Sequence, residues 1–312
     1  MLISFIIVAK SEEEIKMDTQ LLKKIVSTHG FHFEIIKSIG INPSKQRNKA
    51  AEAARADWLY FLDNDSLIDE TTIDHFLIAL KKFPDAKVIG GPSVLPNPAE
   101  DWQKAVQFVF SSDFGVGPLK SRYFSNGLIR KSNERELILC NMAIKKETFE
   151  YLGGFNENLY PNEENEFLKR LSKLGQVIYS PGQIVYRGHR ENPVQLIEQM
   201  IGYGIGRTRH LFFSRDYFDY IYFLPMFALF LFIITVSISS LFFISKFIFE
   251  AYALILILQG LVFVLQQKKP YMIFYAVTAF ISCHLGYALG LFMGFFDKKT
   301  RTLGDVKIKV EV

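Results

Sequence analysis

Three long apolar runs follow one another near the C-terminus, and they restrict the fold of this chain more than any other feature. They cover residues 221–245, 247–266 and 271–296, separated by Lys246 and by the sequence Lys-Lys-Pro at 268–270. A helix needs about 20 apolar residues to cross the hydrocarbon core of a bilayer, so each run is long enough. Buried helices of a large soluble protein have a similar composition, but three such runs in succession favour a membrane region of about three helices.

The three apolar runs divide the chain into three parts. We predict a soluble domain at residues 1–215, a transmembrane region at 216–298 and a basic tail at 299–312. Three crossings would separate the basic tail from a cytosolic domain, against the tendency of basic residues to stay in the cytosol. A re-entrant run, or a shallow hairpin formed by the first two runs, would avoid that conflict, and the sequence leaves these topologies open.

Charge and cysteine content limit the class of protein. Residues 1–220 carry 28 basic and 28 acidic side chains, so this part lacks the surplus of Lys and Arg that nucleic-acid binding requires. The two cysteines, Cys140 and Cys283, lack the spacing of a metal site, which fits a reducing compartment. The first ten residues have no basic leader and predict a buried strand, so we expect a cytosolic domain without a signal peptide.

Strand and helix patterns alternate in the first 91 residues. Strands are predicted at residues 2–9, 32–38, 58–62 and 87–91, and helices at 18–30, 44–55 (with a serine cap) and 71–83. This order predicts an α/β fold with a mostly parallel sheet covered by helices on both faces. Ligands of such sheets bind beyond the carboxyl ends of the strands, so the loops at 10–12, 39–47 and 63–66 are expected to share one crevice.

An acidic motif, Asp63-Asn64-Asp65, follows the third predicted strand. The strand would bring two carboxylates to the edge of the sheet where ligands bind. Carboxylate oxygens are ligands of Mg²⁺ and Mn²⁺, which usually keep phosphate oxygens in their coordination shell. A solvated turn that caps the next helix often has the same sequence, but the position after a strand of an α/β pattern favours a metal-assisted diphosphate site.

A second acidic pair, Glu163 and Glu164, opens a predicted helix at residues 163–174. The helix dipole alone favours acidic residues in a first turn. Phe167 and Leu168 would anchor this helix to the sheet, so that a carboxylate at its start would point into a cleft. There it would deprotonate an acceptor hydroxyl as a general base.

In this order the motifs resemble those of family 2 glycosyltransferases with the GT-A nucleotide-sugar fold. The matching segments are residues 6–12, 46–50, 61–65, 153–155, 163–170 and 179–189. The resemblance covers roughly residues 3–210. It implies a GT-A domain followed by the transmembrane helical region, and a metal-dependent glycosyltransferase of the hexosyltransferase type.

The resemblance also implies a role for each matching position. The residues expected to contact the nucleotide-sugar are Ala9, Lys10, Glu12, Arg47, Asn48, Asp63 and Asn64. The expected ligands of a Mg²⁺ or Mn²⁺ cofactor are Asp63, Asp65 and His189. The expected catalytic residues are Glu163 and Glu164, with Glu164 at the position of the base, where the family usually has Asp. A second departure is Lys10-Ser11, where Arg-Asn is common.

A segment rich in Gly and Arg, residues 199–210, follows the predicted site. An amphipathic helix with its arginines toward lipid phosphates explains this composition. The segment also resembles part of the succinoglycan-type membrane glycosyltransferases that act on lipid-linked saccharides. This resemblance implies that Arg207 and Arg209, together with Arg190 before the segment, contact the acceptor or its phosphate. The Gln-x-x-Arg-Trp element of processive polysaccharide synthases is absent from the sequence, which favours the addition of a single sugar.

The sequence therefore predicts an inverting glycosyltransferase, multi-pass in the inner (plasma) membrane, with its catalytic domain in the cytosol. It would move a sugar from a nucleotide-diphospho-sugar donor to a hydroxyl of a lipid-linked saccharide, in cell-envelope or exopolysaccharide synthesis. Two alternatives remain: an enzyme that charges a polyprenyl phosphate directly, and a non-catalytic membrane scaffold that keeps the sugar-nucleotide fold. Membrane lipids are expected partners, and nucleic acid is not.

Overall fold

The chain forms two units in the computed structural model. The described residues are 1–213, 220–297 and 305–311. The first unit consists of Met1–Pro96, Pro118–Gly188 and Lys299–Val312, and the second consists of Asn97–Gly117 and His189–Lys298. The predicted domain border at residues 215–216 lies outside the described residues, as do residues 298–304 and 312, which include half of the predicted basic tail.

Strands of the first unit build a mixed sheet. The strands of the described chain are β1 (Leu2–Ala9), β2 (His32–Ile39), β3 (Trp58–Asp63), β4 (Ala86–Gly90), β5 (Ser93–Val94), β6 (Arg130–Lys131), β7 (Asn141–Lys145), β8 (Gln176–Tyr179), β9 (Val185–Tyr186) and β10 (Lys307–Glu311). Eight of them form one sheet in the order β10-β2-β1-β3-β7-β4-β8-β6, and β5 pairs with β9.

The predicted α/β architecture is confirmed, with a sheet that is mixed rather than mostly parallel. β1 is parallel to both β2 and β3, as the alternating pattern predicts. β7 lies between β3 and β4 and is antiparallel to both. β7 follows the irregular insert after β4 instead of a crossover helix, so the chain re-enters the sheet in the opposite direction.

Helices cover both faces of this sheet and also make up most of the second unit. Their bounds are α1 (Thr19–Ser27), α2 (Pro43–Ala53), α3 (Glu70–Lys82), α4 (Asp101–Phe110), α5 (Asp113–Val116), α6 (Lys146–Tyr151), α7 (Glu163–Ser172), α8 (Pro193–Phe213), α9 (Leu224–Ser237), α10 (Phe242–Gln267) and α11 (Met272–Gly294). The predicted serine cap of α2 is wrong. Asn42 caps this helix by accepting a hydrogen bond from the backbone N–H of Lys45, and the Ser44 hydroxyl donates to the carbonyl of Leu159.

Alternate residues of β1 explain why the sheet is buried on both faces. Ile3, Phe5 and Ile7 belong to a core with side chains of α1 and α3. Ile6 and Val8 belong to a second core with side chains of α2, α6 and α7. A strand covered on both faces reads as a continuous apolar run, which is the pattern of β1.

In the second unit, α8 and α11 run side by side in the same direction. Glycines recur at every fourth position of α11, and they bring the two backbones into contact. A Cβ at Gly290 would lie 2.2 Å from the carbonyl oxygen of Ile201, and a Cβ at Gly294 would lie 2.6 Å from the Cβ of Thr208. Small residues at such positions allow helices to approach more closely than larger side chains would.

Two apolar helical segments in the described chain have the length and composition to cross a membrane. They are Ser239–Gln267, which includes α10, and Met272–Gly294, which is α11. A shorter apolar segment, Ile221–Ser237, includes α9. Few residues of α10 are buried, whereas half of the most apolar stretch of α11 is buried against other helices.

The C-terminal strand β10 forms one edge of the large sheet, next to β2. It runs antiparallel to β2, with Lys307 opposite Ile39 and Glu311 opposite Ile35. The Nζ of Lys37 lies 2.6 Å from Oε1 of Glu311 and fixes the end of the strand. The basic residues of this segment predict a tail, and the strand is a finding of the structure. β10 covers an edge that β2 would otherwise leave unpaired.

Candidate active site

Helix α2 fastens the carboxyl ends of β1 and β2. The side-chain amide of Gln46 donates hydrogen bonds of 2.7 Å to the carbonyls of Ala9 and Ser38. The Ser38 hydroxyl donates in return to the carbonyl of Gln46. The predicted nucleotide contact Ala9 therefore lies at the end of β1 with its carbonyl already bonded within the framework.

Arg47, the next residue of α2, joins three elements of the site. Its Nη2 lies 3.1 Å from Oδ1 of Asp63 at the end of β3, and its Nη1 lies 2.7 Å from Oε1 of Glu163 at the start of α7. The Arg47 side chain is buried, so these ion pairs are shielded from water. The structure thus brings together the two acidic motifs that the sequence predicted to act together.

Arg187 spans both carboxylates of the acidic motif. Its Nη1 lies 2.8 Å from Oδ2 of Asp63, and its Nε lies 2.7 Å from Oδ1 of Asp65. Two backbone hydrogen bonds of 2.8 Å between Leu67 and Tyr186 bring this arginine to the turn after β3. Arg187 is not among the site residues predicted from the sequence. Its only signal was its position within the matching segment 179–189.

Asn64 holds the loop between β1 and α1. Its side-chain amide donates a 2.7 Å hydrogen bond to the carbonyl of Glu14, and its own carbonyl accepts from the backbone N–H groups of Lys16 and Met17. The same loop carries the predicted nucleotide contacts Lys10 and Glu12. These residues therefore border the carboxyl end of β3 together with the acidic motif.

The two glutamates at the start of α7 have different surroundings. Glu163 is buried and pairs with Arg47. Burial raises the pKa of the Glu163 carboxyl and the neighbouring Glu164 adds to the rise, while Arg47 opposes it. Glu164 is more exposed, and its Oε1 lies 3.3 Å from Nη1 of Arg122. Helix α7 thus presents one carboxylate that is built into the core and one that lies closer to solvent.

The Gly-Gly-Phe segment forms a turn that packs against α2. Gly154 has a φ of +70°, and a Cβ there would lie 2.6 Å from Oδ1 of Asn48, so this position requires glycine. The Asn48 amide bonds both the N–H and the carbonyl of Phe155 at 2.9 Å. Arg170 donates to the carbonyls of Leu152 and Gly154. Asn48, predicted to contact the nucleotide, thus holds this turn in place.

Residues 3–202 match the family described as Glycosyltransferase like family 2. The match covers well over half of the chain. The chain belongs to glycosyltransferase-like family 2. No curated protein sequence matches it.

Several solved structures are similar to this family 2 chain. The mannosyltransferase PcManGT from Pyrobaculum calidifontis, in complex with GDP-Man and Mn²⁺, has a TM-score of 0.51 at 14% identity, over 95% of this chain and 88% of that chain. This likeness shows that the fold is of the GT-A type. S. aureus TarS 1-349 with UDP-GlcNAc has a TM-score of 0.40 at 13% identity, over 92% of each chain. A longer S. aureus TarS structure also has a TM-score of 0.40, at 12% identity, and the match covers 69% of this chain and 44% of that one.

Four further predicted site residues of this glycosyltransferase belong to the second unit. His189 pairs through Nε2 with Oε1 of Gln107 at 2.8 Å, and the exposed Arg190 accepts a hydrogen bond at its carbonyl from the Trp102 indole. The guanidinium of Arg207 stacks on the ring of Tyr222, and Arg209 forms an ion pair with Asp297. Both of these arginines are buried.

The acidic motif offers the donor atoms that Mg²⁺ or Mn²⁺ prefers. In the part of the chain that the structure describes, no group of three or more His, Cys, Asp or Glu side chains is arranged to hold a metal ion. Asp63 and Asp65 lie within reach of one guanidinium, that of Arg187, and so supply two carboxylates close together. Two carboxylates complemented by phosphate oxygens suit a hard cation, so the residues fit a cation that is bound together with a diphosphate.

Proposed function

We propose that this family 2 glycosyltransferase transfers a hexosyl group from a nucleotide-diphospho-sugar to a hydroxyl of a lipid-linked saccharide, with inversion at the anomeric carbon. One observation carries the proposal. Arg47 joins the acidic motif after β3 to the glutamates of α7, through contacts of 3.1 Å to Asp63 and 2.7 Å to Glu163. The diphosphate-binding end and the base are thereby held in one rigid network.

The charge of this network supports a requirement for a divalent cation. It contains four carboxylates, those of Asp63, Asp65, Glu163 and Glu164, and three guanidinium groups. A nucleoside diphosphate would add negative charge to a site in which the carboxyl groups already outnumber the guanidinium groups. A bound Mg²⁺ or Mn²⁺ would offset that charge and stabilise the leaving diphosphate. Asp63 and Asp65 would hold it, and His189 stays a predicted further ligand.

Proton transfer is assigned to Glu164. Glu163 is buried and paired with Arg47, so it is suited to positioning this arginine against Asp63. Glu164 is less buried and can accept a proton from an acceptor hydroxyl. As that proton leaves, the acceptor oxygen forms its bond to the anomeric carbon, and the bond between this carbon and the diphosphate oxygen breaks.

The apolar helices support a location at the cytosolic face of the plasma membrane, with a multi-pass anchor. Large apolar side chains of α9 and α10 are exposed, among them Phe230, Phe247 and Leu258. Exposed apolar surface of this extent is typical of contact with lipid. An acceptor that is itself anchored in lipid would then meet the enzyme by diffusion in two dimensions, in cell-envelope or exopolysaccharide synthesis.

Membranes that contain the full chain test this proposal. They would be incubated with a panel of labelled nucleotide-sugars with Mg²⁺ or Mn²⁺, and the lipid phase would be extracted. We expect one label to enter the lipid phase with the wild type and with the exposed control Glu150→Gln, but not with Asp65→Asn or Glu164→Gln. Transfer that survives Glu164→Gln but not Asp65→Asn would instead favour direct charging of a polyprenyl phosphate. Absence of nucleotide-sugar binding would favour a non-catalytic scaffold.

A further inference from the structure

We propose that α11 does not cross the membrane, and that α9 and α10 form a hairpin which enters and leaves the membrane on the face that carries the catalytic unit. This inference rests on the proposed membrane location of the enzyme. It assigns the lipid-embedded surface to one hairpin, both ends of which lie on the same face of the membrane. Three features of the structure support it: the packing of α11 against α8, the pairing of β10 with β2, and the contacts of the turn before α11.

The backbones of α8 and α11 pack so closely that the two helices must lie together in any arrangement relative to the membrane. A Cβ at Gly286 would lie 2.8 Å from the carbonyl oxygen of Ile197, and one at Gly290 would lie 2.2 Å from that of Ile201. The contacts advance together along both helices, so the helices are parallel and their C-terminal ends coincide. Arg209, near the end of α8, is paired with Asp297 just beyond the end of α11. If α11 crossed the membrane, α8 would lie in the hydrocarbon core beside the C-terminal half of α11, from Gly286 onward.

Helix α8 is unsuited to a crossing. It carries Glu198, Arg207 and Arg209 within 21 residues. Ionisable side chains in the hydrocarbon core are costly and therefore rare in membrane-spanning helices. In α11, by contrast, the positions buried against α8 are the glycines Gly286, Gly290 and Gly294. This is the pattern of an apolar helix that is covered by a partly polar helix at its side.

The segment after α11 cannot return across a membrane. β10 pairs with β2 in the sheet of the first unit, so residues 307–311 lie on the face of the catalytic unit. Seven residues, 298–304, connect Asp297 with the next described residue, and they include three basic side chains. Asp305 follows Asp297 by eight residues, so the two lie at most roughly 28 Å apart, which is less than the ~30 Å of the hydrocarbon core. The end of α11 therefore lies on the same face as β10.

The beginning of α11 lies on that face as well. Asp101, the first residue of α4, receives hydrogen bonds from Lys269 at 3.1 Å and from the Tyr271 hydroxyl at 2.6 Å. α4 follows Pro96 and precedes Pro118, both of which belong to the catalytic unit. The turn between α10 and α11 is thus held to a segment that leaves the catalytic unit and returns to it.

Among the apolar helices of the described residues, α9 and α10 remain to enter the lipid. Their exposed side chains are apolar along most of their length. The exception is the pair of Lys246 and Glu250, one turn apart near the start of α10 and 3.8 Å from each other. This pair lies close to the α9–α10 turn, where its two opposite charges lie one helical turn apart. The basic residues Lys307 and Lys309 of β10 then stay on the cytosolic side, as positively charged segments prefer.

Labelling of single cysteines from one side of the membrane tests this topology. Lys49→Cys, Lys268→Cys and Lys307→Cys replace exposed residues of α2, of the α10–α11 turn and of β10. The native cysteines are buried, so the unchanged chain serves as the blank. A membrane-impermeant maleimide would be added to spheroplasts and to inverted vesicles from a bacterium that produces the full chain.

We expect all three variants to react only in inverted vesicles. Reaction of Lys268→Cys or Lys307→Cys in intact spheroplasts, while Lys49→Cys stays unlabelled, would overturn the topology and leave the proposed membrane location intact. Recovery of the unchanged chain in the soluble fraction after sedimentation would overturn the membrane location, and this inference with it. The labelling does not use glycosyl transfer, so inactivity of the enzyme would not affect the outcome.

Discussion

The Nε atom of Arg187 lies 2.7 Å from Oδ1 of Asp65, while the other end of the same guanidinium lies 2.8 Å from Asp63. The arginine therefore holds its positive charge between the two carboxylates that are proposed to bind a divalent cation. A cation that uses both carboxylates has to compete with Arg187. A diphosphate, which attracts a guanidinium, would help to draw it away.

Replacement of this arginine is expected to strengthen metal binding by the free enzyme. In Arg187→Gln the two carboxylates lose a nearby positive charge, so their affinity for Mn²⁺ without nucleotide should rise about tenfold, the scale on which one close charge shifts a carboxylate equilibrium. The electron paramagnetic resonance signal of free Mn²⁺ measures this affinity directly. Lys49→Gln removes an equal charge from the exposed face of α2 and should leave the affinity unchanged. An equal affinity for Mn²⁺ in Arg187→Gln and the wild type would show that Arg187 does not compete with the cation for the two carboxylates.

Replacement by glutamine is expected to affect the two glutamates of α7 differently, one in the rate of sugar transfer and the other in stability. Glu164→Gln should lower the rate of sugar transfer by about 10²–10⁴-fold, the usual contribution of a general base, with little loss of stability. Glu163→Gln should instead lower the free energy of unfolding by about 1–3 kcal/mol, because buried Arg47 loses a charged partner. Transfer assays and thermal unfolding of both variants measure the two effects. An equal loss of stability in both would contradict this division of roles.

Local patterns predicted the elements of the site, but not the contacts that join them. The apolar run before Asp63 and the acidic start of α7 were sufficient to predict a strand and a helix that bring carboxylates to one edge. The pairing of Arg47 with both motifs depends on residues 16 and 116 positions apart, and no local pattern records such a distance. The same holds for Arg187, whose position depends on the pairing of residue 186 with residue 67.

The C-terminal strand β10, in contrast, has a local sequence pattern that is typical of a strand, although its basic residues favour a tail. The sequence Lys-Ile-Lys-Val-Glu at 307–311 alternates polar and apolar residues, as a strand with one covered face does. Its basic residues led to the prediction of a tail. Because the partner strand β2 precedes it by about 270 residues, only the fold explains why this alternation is useful there.

Two glycines of the helical unit offer a matched test of the α8–α11 packing. Gly290→Ala would place a Cβ 2.2 Å from the carbonyl oxygen of Ile201, whereas a Cβ at Gly202 meets no atom within 4 Å. Forcing the helices apart should cost about 1–3 kcal/mol. The change at Gly202 should instead stabilise the protein by about 0.5–1 kcal/mol, because alanine favours a helix. Unfolding temperatures of the detergent-solubilised variants measure the difference. A similar change of the unfolding temperature in both variants would contradict the close contact between Gly290 and Ile201.

A pH dependence of stability is expected from Glu34, which lies buried on β2. Burial alone would raise the pKa of Glu34, but hydrogen bonds from the Arg55 backbone, the Ser4 hydroxyl and the Arg55 side chain outweigh it, so the pKa is lowered. A carboxyl with a lowered pKa in the folded state stabilises the protein above its unfolded pKa of about 4.3. This stabilisation is lost as the pH falls through the folded value.

Glu34→Gln should therefore lower the free energy of unfolding by about 1–3 kcal/mol at pH 7. The difference from the wild type should shrink as the pH falls below about 4, because the wild-type carboxyl then becomes neutral as well. Urea unfolding at pH 7, 5 and 3.5 measures both effects. Glu52→Gln, which changes an exposed carboxylate of α2, controls for the general loss of negative charge. A deficit of Glu34→Gln that stays constant across this range would show that shape or packing, and not the charge of Glu34, stabilises β2 at this point.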